Sequence, residues 1–133
     1  MQACALALAW LLSASNPQHW DRPHAVAVVA NLWAESHCDP NSSSNGQLGG
    51  PRWQGPRLAR VLAESSRLGV AWSDLDFQLR FLVAEWAGMR GYERWLRETD
   101  LARLTYAFCR EYERPRGSCR RGGIAKRMME ELP

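Results

Sequence analysis

One carboxyl group lies where the sequence makes a charge costly. Glu35 follows Val28 by seven positions and Leu32 by three, so on a helix the three side chains share one face. The carboxyl group therefore projects from an apolar stripe, where the helical pattern meets a turn-rich stretch. Partial desolvation raises the pKa of a carboxyl group, as a general acid requires near neutral pH. The spacing is equally compatible with a frayed last turn in which Glu35 faces water.

Three further polar side chains are candidates to act with Glu35, since glycoside hydrolysis commonly employs two carboxyl groups. Asp39 is near in sequence, but it precedes a proline and is typical of a turn. Gln78 and Glu85 fall on or near the apolar stripe of a helix that contains Leu75. Because buried polar groups need partners, the pair is expected to brace the loop that follows Glu35.

Nucleophilic and metal chemistry have little support in the sequence. No Ser or Cys stands in a nucleophile-elbow setting, no cysteines form a CxxC motif, and no histidine has zinc-finger spacing. We therefore expect no metal and no cofactor. Cys109 and Cys119 could pair, but the low cysteine density suits synthesis in a reducing compartment. A chain of this length can also bury a core without disulfides.

The elements that must position these side chains are predicted to be helices separated by one long loop. Residues 2–14 form an apolar first helix, and Asp21 can cap a second. Residues 38–57 lose periodicity, and a loop of this length is often functional. It could contain a short hairpin at Asn45-Gly46. Further helices are predicted from Pro56 to Gly69, from a Ser73 cap with Asp76 three residues later, around Tyr92–Leu96, from a Thr99 cap to Pro115, and around Ile124–Leu132.

Size and composition indicate one globular domain. The 133 residues, 46% apolar and 23% charged, contain no repeat and no linker that would divide them. The predicted fold class is all-α, or α with a minimal β-hairpin, in a single domain over residues 1–133. The N-terminal apolar run is too short to span a bilayer and has no positively charged start. We therefore expect a buried first helix, with an uncharged signal-like segment as the alternative.

Positive charge is concentrated near the C-terminus. The net charge is +3, and residues 110–127 carry seven basic side chains against two acidic ones. Such a segment could bind an anionic polymer such as a cell wall, a membrane surface or a nucleic acid. A solvated face is an equally good interpretation.

Motifs in a fixed order resemble the phage tail lysozyme domain family, from about residue 5 to about residue 129. Each motif alone is weak, but five in the right order are fairly specific. They are Asn31-Leu32-x-x-Glu35-Ser36 followed by Pro40, Trp53 with Arg57 and Leu58, Gln78-Leu79-x-Phe81-Leu82-x-x-Glu85, Phe108-x-x-x-Tyr112-Glu113-Arg114-Pro115, and Arg121 with Ala125.

The resemblance implies a lysozyme-like helical fold and cleavage of the β-1,4 bond between N-acetylmuramic acid and N-acetylglucosamine. It implies that Glu35 is the catalytic acid of a muramidase or lytic transglycosylase, carried in the virion, that opens the host wall during entry. The implied substrate contacts are Trp53, Arg52 and Gln54. The residues that would support the site are Ser36, Asp39, Gln78, Glu85, Tyr112 and Arg114.

One departure from the family pattern concerns the loop. The family usually has a Gly-x-x-Gln-Trp segment, and Arg52 stands where its glutamine is expected. The expected partners are peptidoglycan and other virion or tail proteins, and neither a nucleic acid partner nor a membrane span is expected. The alternative function is a non-catalytic virion or wall-binding module with the same fold.

Overall fold

Seven α-helices and one small hairpin make up the computed structural model, which describes all 133 residues. In chain order the elements are α1 (Gln2–Leu12), α2 (Arg22–Ser36), β1 (Ser43–Ser44), β2 (Gln47–Leu48), α3 (Gly55–Leu68), α4 (Leu75–Ala87), α5 (Tyr92–Arg97), α6 (Leu101–Phe108), a π-helical segment (Cys109–Glu113) and α7 (Gly122–Glu131). The fold class expected from the sequence, mostly α and lysozyme-like with a minimal hairpin, is confirmed.

Aspartates start three of the helices. Asp21, Asp74 and Asp100 each accept a hydrogen bond from the backbone N–H three residues later, which satisfies one free donor of the first turn. The cap at Asp21 was expected. The expected caps Ser73 and Thr99 are each one residue too early, because the aspartate that follows is the side chain bonded to the first turn.

Helix α2 runs through the core of the molecule. Every side chain from His24 to Leu32 is buried, and α1, α6 and α7 pack around it. A helix that is buried all round carries no solvated face. Glu35, in its last turn, therefore lies where α2 leaves the core.

The first helix is a core element. α1 buries Cys4, Ala7, Leu8 and Leu11 and packs against α2 and α4. None of the helices has the length and apolar content needed to cross a membrane.

A short hairpin interrupts the long loop. β1 and β2 pair antiparallel, and the two residues between them, Asn45 and Gly46, both have positive φ, at 52° and 74°. Two such residues are the signature of a tight hairpin turn, for which Asn-Gly is the favoured sequence. The remainder of the loop then returns towards α3.

Helix α6 does not continue as a regular helix to Pro115. After Phe108 the chain forms the π-helical segment, which closes with the N–H of Arg114 donating to the carbonyl of Cys109 at 2.7 Å. Phe108 stacks on Tyr112 at 4.8 Å between ring centroids. Because a π-turn holds more residues than an α-turn, side chains after Phe108 face directions that regular helical spacing does not predict.

All four cysteines are paired. Cys4 bonds Cys38 and Cys109 bonds Cys119, with Cα–Cα distances of 5.3 and 5.7 Å. The Cys4–Cys38 bond was not anticipated, since its cysteines are 34 residues apart. Two disulfides are typical of proteins that work in an oxidising environment, a feature that the low cysteine density did not predict.

Candidate active site

Glu35 lies against a buried arginine from the far end of the chain. Its Oε1 accepts a hydrogen bond from Nη2 of Arg121 at 2.7 Å. The two side chains are only 15% and 9% exposed. The last turn of α2 is therefore not frayed around Glu35, and a charge-assisted hydrogen bond holds its carboxylate.

Asn31 completes the support of this pair. It lies one helical turn before Glu35, so both side chains project from the same face of α2. Its Oδ1 accepts from Nη1 of Arg121 at 2.8 Å, and its Nδ2 donates to the carbonyls of Ala27 at 2.9 Å and Thr105 at 3.1 Å. The two guanidinium nitrogens thus contact two side chains of one helix, which fixes the position of the Glu35 carboxylate.

A polar cleft of about 330 Å³ opens beside Glu35. Its lining side chains are polar or charged apart from two prolines, and they are Glu35, Asn45, Gln47, Pro51, Arg52, Gln54, Glu113, Pro115 and Arg116. The largest groove of the molecule, about 520 Å³, lies between α3 and α4 and is more apolar. We place the candidate site in the smaller cleft, because a sugar chain carries many hydroxyl groups that need hydrogen-bond partners.

Glu113 brings a second carboxyl group to the cleft. Its Oε1 is buried and has no hydrogen-bond partner. Burial raises its pKa well above the usual range, and the negative charge of Glu35 raises it further, while Arg121 and Arg57 act in the opposite direction. Glu113 is therefore suited to hold a proton.

Arg52 and Gln54 both line the cleft, but the hairpin engages their polar groups. Arg52 donates from Nε to Oε1 of Gln47 and from Nη2 to the hydroxyl of Ser44. Gln47 in turn donates to Oε1 of Gln54 at 2.9 Å. Arg52, at the position where the resemblance predicted a glutamine, thus holds the hairpin to the cleft wall.

Trp53 points away from the cleft. Its side chain is only 2% exposed, its Nε1 donates to the hydroxyl of Tyr112 at 3.1 Å, and its ring meets Phe81 edge-on at 5.5 Å. A ring so enclosed offers no face on which a sugar could stack. In this structure Trp53 anchors the loop in the core.

Gln78 clamps the loop from α4. Its Oε1 accepts from the N–H of Gly50 at 3.0 Å, and its Nε2 donates to the carbonyls of Pro40 and Trp72, each at 2.8 Å. Ser36 reaches the same glycine from α2, donating to its carbonyl at 2.7 Å. Two elements therefore hold the backbone of the loop at Gly50.

Glu85 makes a separate ion pair and does not contact Gln78. Its Oε1 accepts from Arg57 at 2.8 Å, and Arg57 also donates to the carbonyl of Tyr112 at 2.6 Å while its guanidinium lies over the Tyr112 ring at 4.3 Å. Burial alone would raise the pKa of Glu85, but the hydrogen bond and the charge of Arg57 lower it below the usual value. Burial is also the main reason why the pKa of Tyr112 lies well above its usual value.

Asp39 and Arg114 lie outside this arrangement. Asp39 is exposed and accepts from the N–H of Asn41 at 2.9 Å, as expected of a turn residue. Arg114 is exposed in the left-handed conformation that ends the π-helical segment, with φ of 50°. Neither side chain lines the cleft.

The residues that the sequence did not single out as site residues are Asn31, Arg57, Glu113 and Arg121. All four fall within motifs of the family resemblance, so position in a motif was the available signal. Their chemistry depends on contacts between distant parts of the chain. No three or more His, Cys, Asp or Glu side chains are grouped so that they could hold a metal ion.

The chain resembles a known protein family over nearly its whole length. The model of a family described as phage tail lysozyme matches residues 8–132. The matched span contains Glu35, Glu113 and Arg121 and both walls of the cleft. No curated protein matches the chain significantly.

Proposed function

Because the chain belongs to the phage tail lysozyme family, whose lysozyme-like function is the lysis of peptidoglycan, we propose that it cleaves the β-1,4 bond between N-acetylmuramic acid and N-acetylglucosamine. In this proposal Glu35 is the general acid, and the protein travels in the virion and opens the host wall during entry. Other tail proteins are its proposed neighbours there.

The observation that carries the proposal is the placement of Glu35. It sits at the end of a core helix, is held by Arg121 at 2.7 Å, and lines a polar cleft. In the reaction it gives a proton to the glycosidic oxygen as the C1–O bond breaks and positive charge develops on the sugar ring. Arg121 then stabilises the carboxylate that remains.

The test compares purified wild type, Glu35→Gln and Glu93→Gln on isolated peptidoglycan. Glu93 is an exposed carboxylate on α5 outside the cleft, so its variant controls for loss of one negative charge. We expect release of muropeptides by wild type and by Glu93→Gln, and a loss of activity of about 100- to 10,000-fold in Glu35→Gln, the range for one proton-transfer group. Equal activity of Glu35→Gln and wild type would remove Glu35 from this role.

The second chemical step decides the product. A water molecule that attacks C1 leaves a reducing sugar end, whereas attack by the C6 hydroxyl of the same sugar closes an anhydro ring. Mass spectrometry of the muropeptides separates the two, since they differ by one water molecule.

A second candidate function is binding of the wall without cleavage. It is favoured by Arg52 and Arg116, two cationic side chains that line the same cleft as Glu35 and could contact an anionic polymer. Sedimentation with peptidoglycan, and no fragments released by wild type at any pH tested, would support this function over the first.

A further inference from the structure

We infer that Glu113 is the second carboxyl group of this site and that it shares with Glu35 the single proton on which cleavage depends. The inference rests on the proposed function of Glu35. It assigns to the π-helical segment a role in proton transfer.

The first argument is the position of Glu113. It lines the cleft together with Glu35, although the two residues are 78 positions apart in the chain. The π-helical segment sets the direction in which Glu113 points, and π-turns are frequent at functional sites. A regular continuation of α6 would turn this side chain to a different face.

The second argument is the lack of a partner. Glu35 has Arg121, and Glu85 has Arg57 and Arg60, but no side chain or backbone group bonds the buried Oε1 of Glu113. A charge on this half-buried carboxyl group, whose enclosed oxygen has no hydrogen bond, is costly, whereas the protonated acid is not charged. Glu113 is thus the natural holder of a proton.

The third argument is the balance of charge around Glu113. The groups that act on it are Glu35 of α2, Arg57 of α3, Glu85 of α4 and Arg121 before α7; Arg52 and Arg116 also line the cleft. Each arginine of the first set is already bonded to another carboxylate. The negative charge of Glu35 therefore opposes ionisation of Glu113, and two such carboxyl groups lose their protons in two coupled steps.

The reaction uses one proton and returns it. At rest the pair carries one proton, held mainly by Glu113, and one negative charge. During cleavage that proton passes through Glu35 to the glycosidic oxygen, the C1–O bond breaks, and both carboxyl groups are left ionised. The oxygen that then bonds C1, from water or from the C6 hydroxyl, gives its proton to the pair, which restores the starting state.

Glu113 acts through Glu35 and is a positioning residue, so its test is a pH profile. In wild type the fall of kcat/KM on the alkaline side, the alkaline limb of the profile, marks loss of the last proton of the pair. This loss is opposed by the negative charge on the carboxyl group that is already ionised. In Glu113→Gln that opposition is gone, so the limb should move to lower pH by about one unit or more. At a pH on the wild-type limb this corresponds to an activity loss of about tenfold or more, with a smaller loss at lower pH.

Two variants calibrate the result. Glu111→Gln changes a carboxylate of the same π-helical segment that pairs with Arg94 outside the cleft, and its limb should coincide with that of wild type. Glu113→Asp keeps a carboxyl group and should keep the limb nearer to that of wild type. A loss in Glu113→Gln by the same factor at every pH, or no loss, would overturn the inference.

A second measurement needs no variant to fold. Carbon-13 NMR of wild type labelled at its glutamate carboxyl groups should show that Glu113 keeps its proton to a higher pH than the exposed glutamates, and titration of Glu113 together with the exposed glutamates would also overturn the inference. The failures are distinguishable, because inactive wild type contradicts the proposed function, whereas active wild type with an unmoved limb in Glu113→Gln contradicts only the role of Glu113.

Discussion

At the scale of single residues, Arg121 links the candidate acid to the rest of the molecule. Its guanidinium bonds Asn31 at 2.8 Å and Glu35 at 2.7 Å, one helical turn apart on α2. A planar fork with several donors can satisfy both acceptors at once, whereas an ammonium group has no such fixed geometry. The position of the carboxylate thus depends on the shape of Arg121 as well as on its charge.

We predict that Arg121→Lys lowers activity although it keeps the charge. One of the two contacts should be lost and the Glu35 carboxylate should become mobile, so kcat/KM should fall by about tenfold or more, and the free energy of unfolding by about 1.5–3 kcal/mol for a lost hydrogen bond to a charged group. Steady-state kinetics and denaturant unfolding measure the two effects. The control is Arg120→Lys, at an exposed neighbour. Equal kcat/KM and equal free energies of unfolding in the two variants would contradict the claim that the planar guanidinium of Arg121 holds Glu35.

Glu113 should also affect how the free energy of unfolding depends on pH. Its pKa in the folded protein is raised well above 4.5, chiefly by burial, so between that ordinary value and the raised one the folded state binds more protons than the unfolded state. The free energy of unfolding therefore falls as pH rises through this window. The contribution of Glu113 to the free energy of unfolding is therefore greatest at pH values below its pKa in the unfolded chain.

The prediction is that Glu113→Gln flattens this decline. Unfolding in urea at a series of pH values should show the variant gaining stability relative to wild type as pH rises from acidic to alkaline. Such a gain in stability at the expense of activity is common where a strained or desolvated group serves function. Parallel curves for variant and wild type would contradict a proton held on Glu113.

At the scale of elements, the loop between α2 and α3 is held in place by backbone contacts. Gln78 and Ser36 are hydrogen-bonded to the backbone of Gly50, and Gly49, which precedes it, has φ of 86°. A β-carbon on Gly49 would lie 3.1 Å from the ring of Trp53 and 3.2 Å from the amide of Gln78. The loop can approach both side chains because this position has none.

We predict that Gly49→Ala destabilises the protein more than Gly46→Ala. Both glycines have positive φ, which costs a substituted residue about 1–2 kcal/mol, but Gly46 at the hairpin tip has open space around it. The difference between the two free energies of unfolding isolates the crowding against Trp53 and Gln78, for which we expect about 1 kcal/mol or more. Gly49→Ala should also lower activity, because the loop carries Arg52 and Gln54 into the cleft. Equal losses in the two variants would show that the loop relaxes freely.

At the scale of the whole molecule, two disulfides lie close to the main groups of the site. Cys4–Cys38 joins α1 to the second residue after the end of α2, three positions after Glu35. Cys109–Cys119 closes a loop that contains Glu113 and ends two residues before Arg121. The main groups of the site are therefore each close to a covalent crosslink.

We predict different costs for removing the two crosslinks. From loop-closure entropy we expect the free energy of unfolding to fall by about 4 kcal/mol in the double variant Cys4→Ser/Cys38→Ser. The expected fall is about 3 kcal/mol in Cys109→Ser/Cys119→Ser. Activity at a temperature where both variants are folded should fall more in the second, since that disulfide constrains Glu113 and Arg121 directly. Unfolding curves and muropeptide release measure this, and each variant serves as the control for the other. An unchanged stability in both would show that the bonds do not form in solution.

The sequence by itself determined the local structure of this protein. Helical periodicity and short-range caps predicted the helices, Asn45-Gly46 marked the hairpin turn, and the spacing of Glu35 placed it at the end of an apolar helix. Such features depend on residues a few positions apart, so the interactions that form them do not depend on how the rest of the chain packs. For that reason the errors were small and local, as at Ser73 and Thr99.

Only the tertiary structure decided the chemistry around Glu35. The ion pair with Arg121 joins residues 86 positions apart, the Cys4–Cys38 bond joins residues 34 apart, and Glu113 lines the cleft from the π-helical segment, 78 positions after Glu35. Each depends on how the helices pack about α2, and neighbours in sequence carry no information about that packing. The same packing turned Trp53 into the core, since a large ring lowers its free energy more by burial than by exposure.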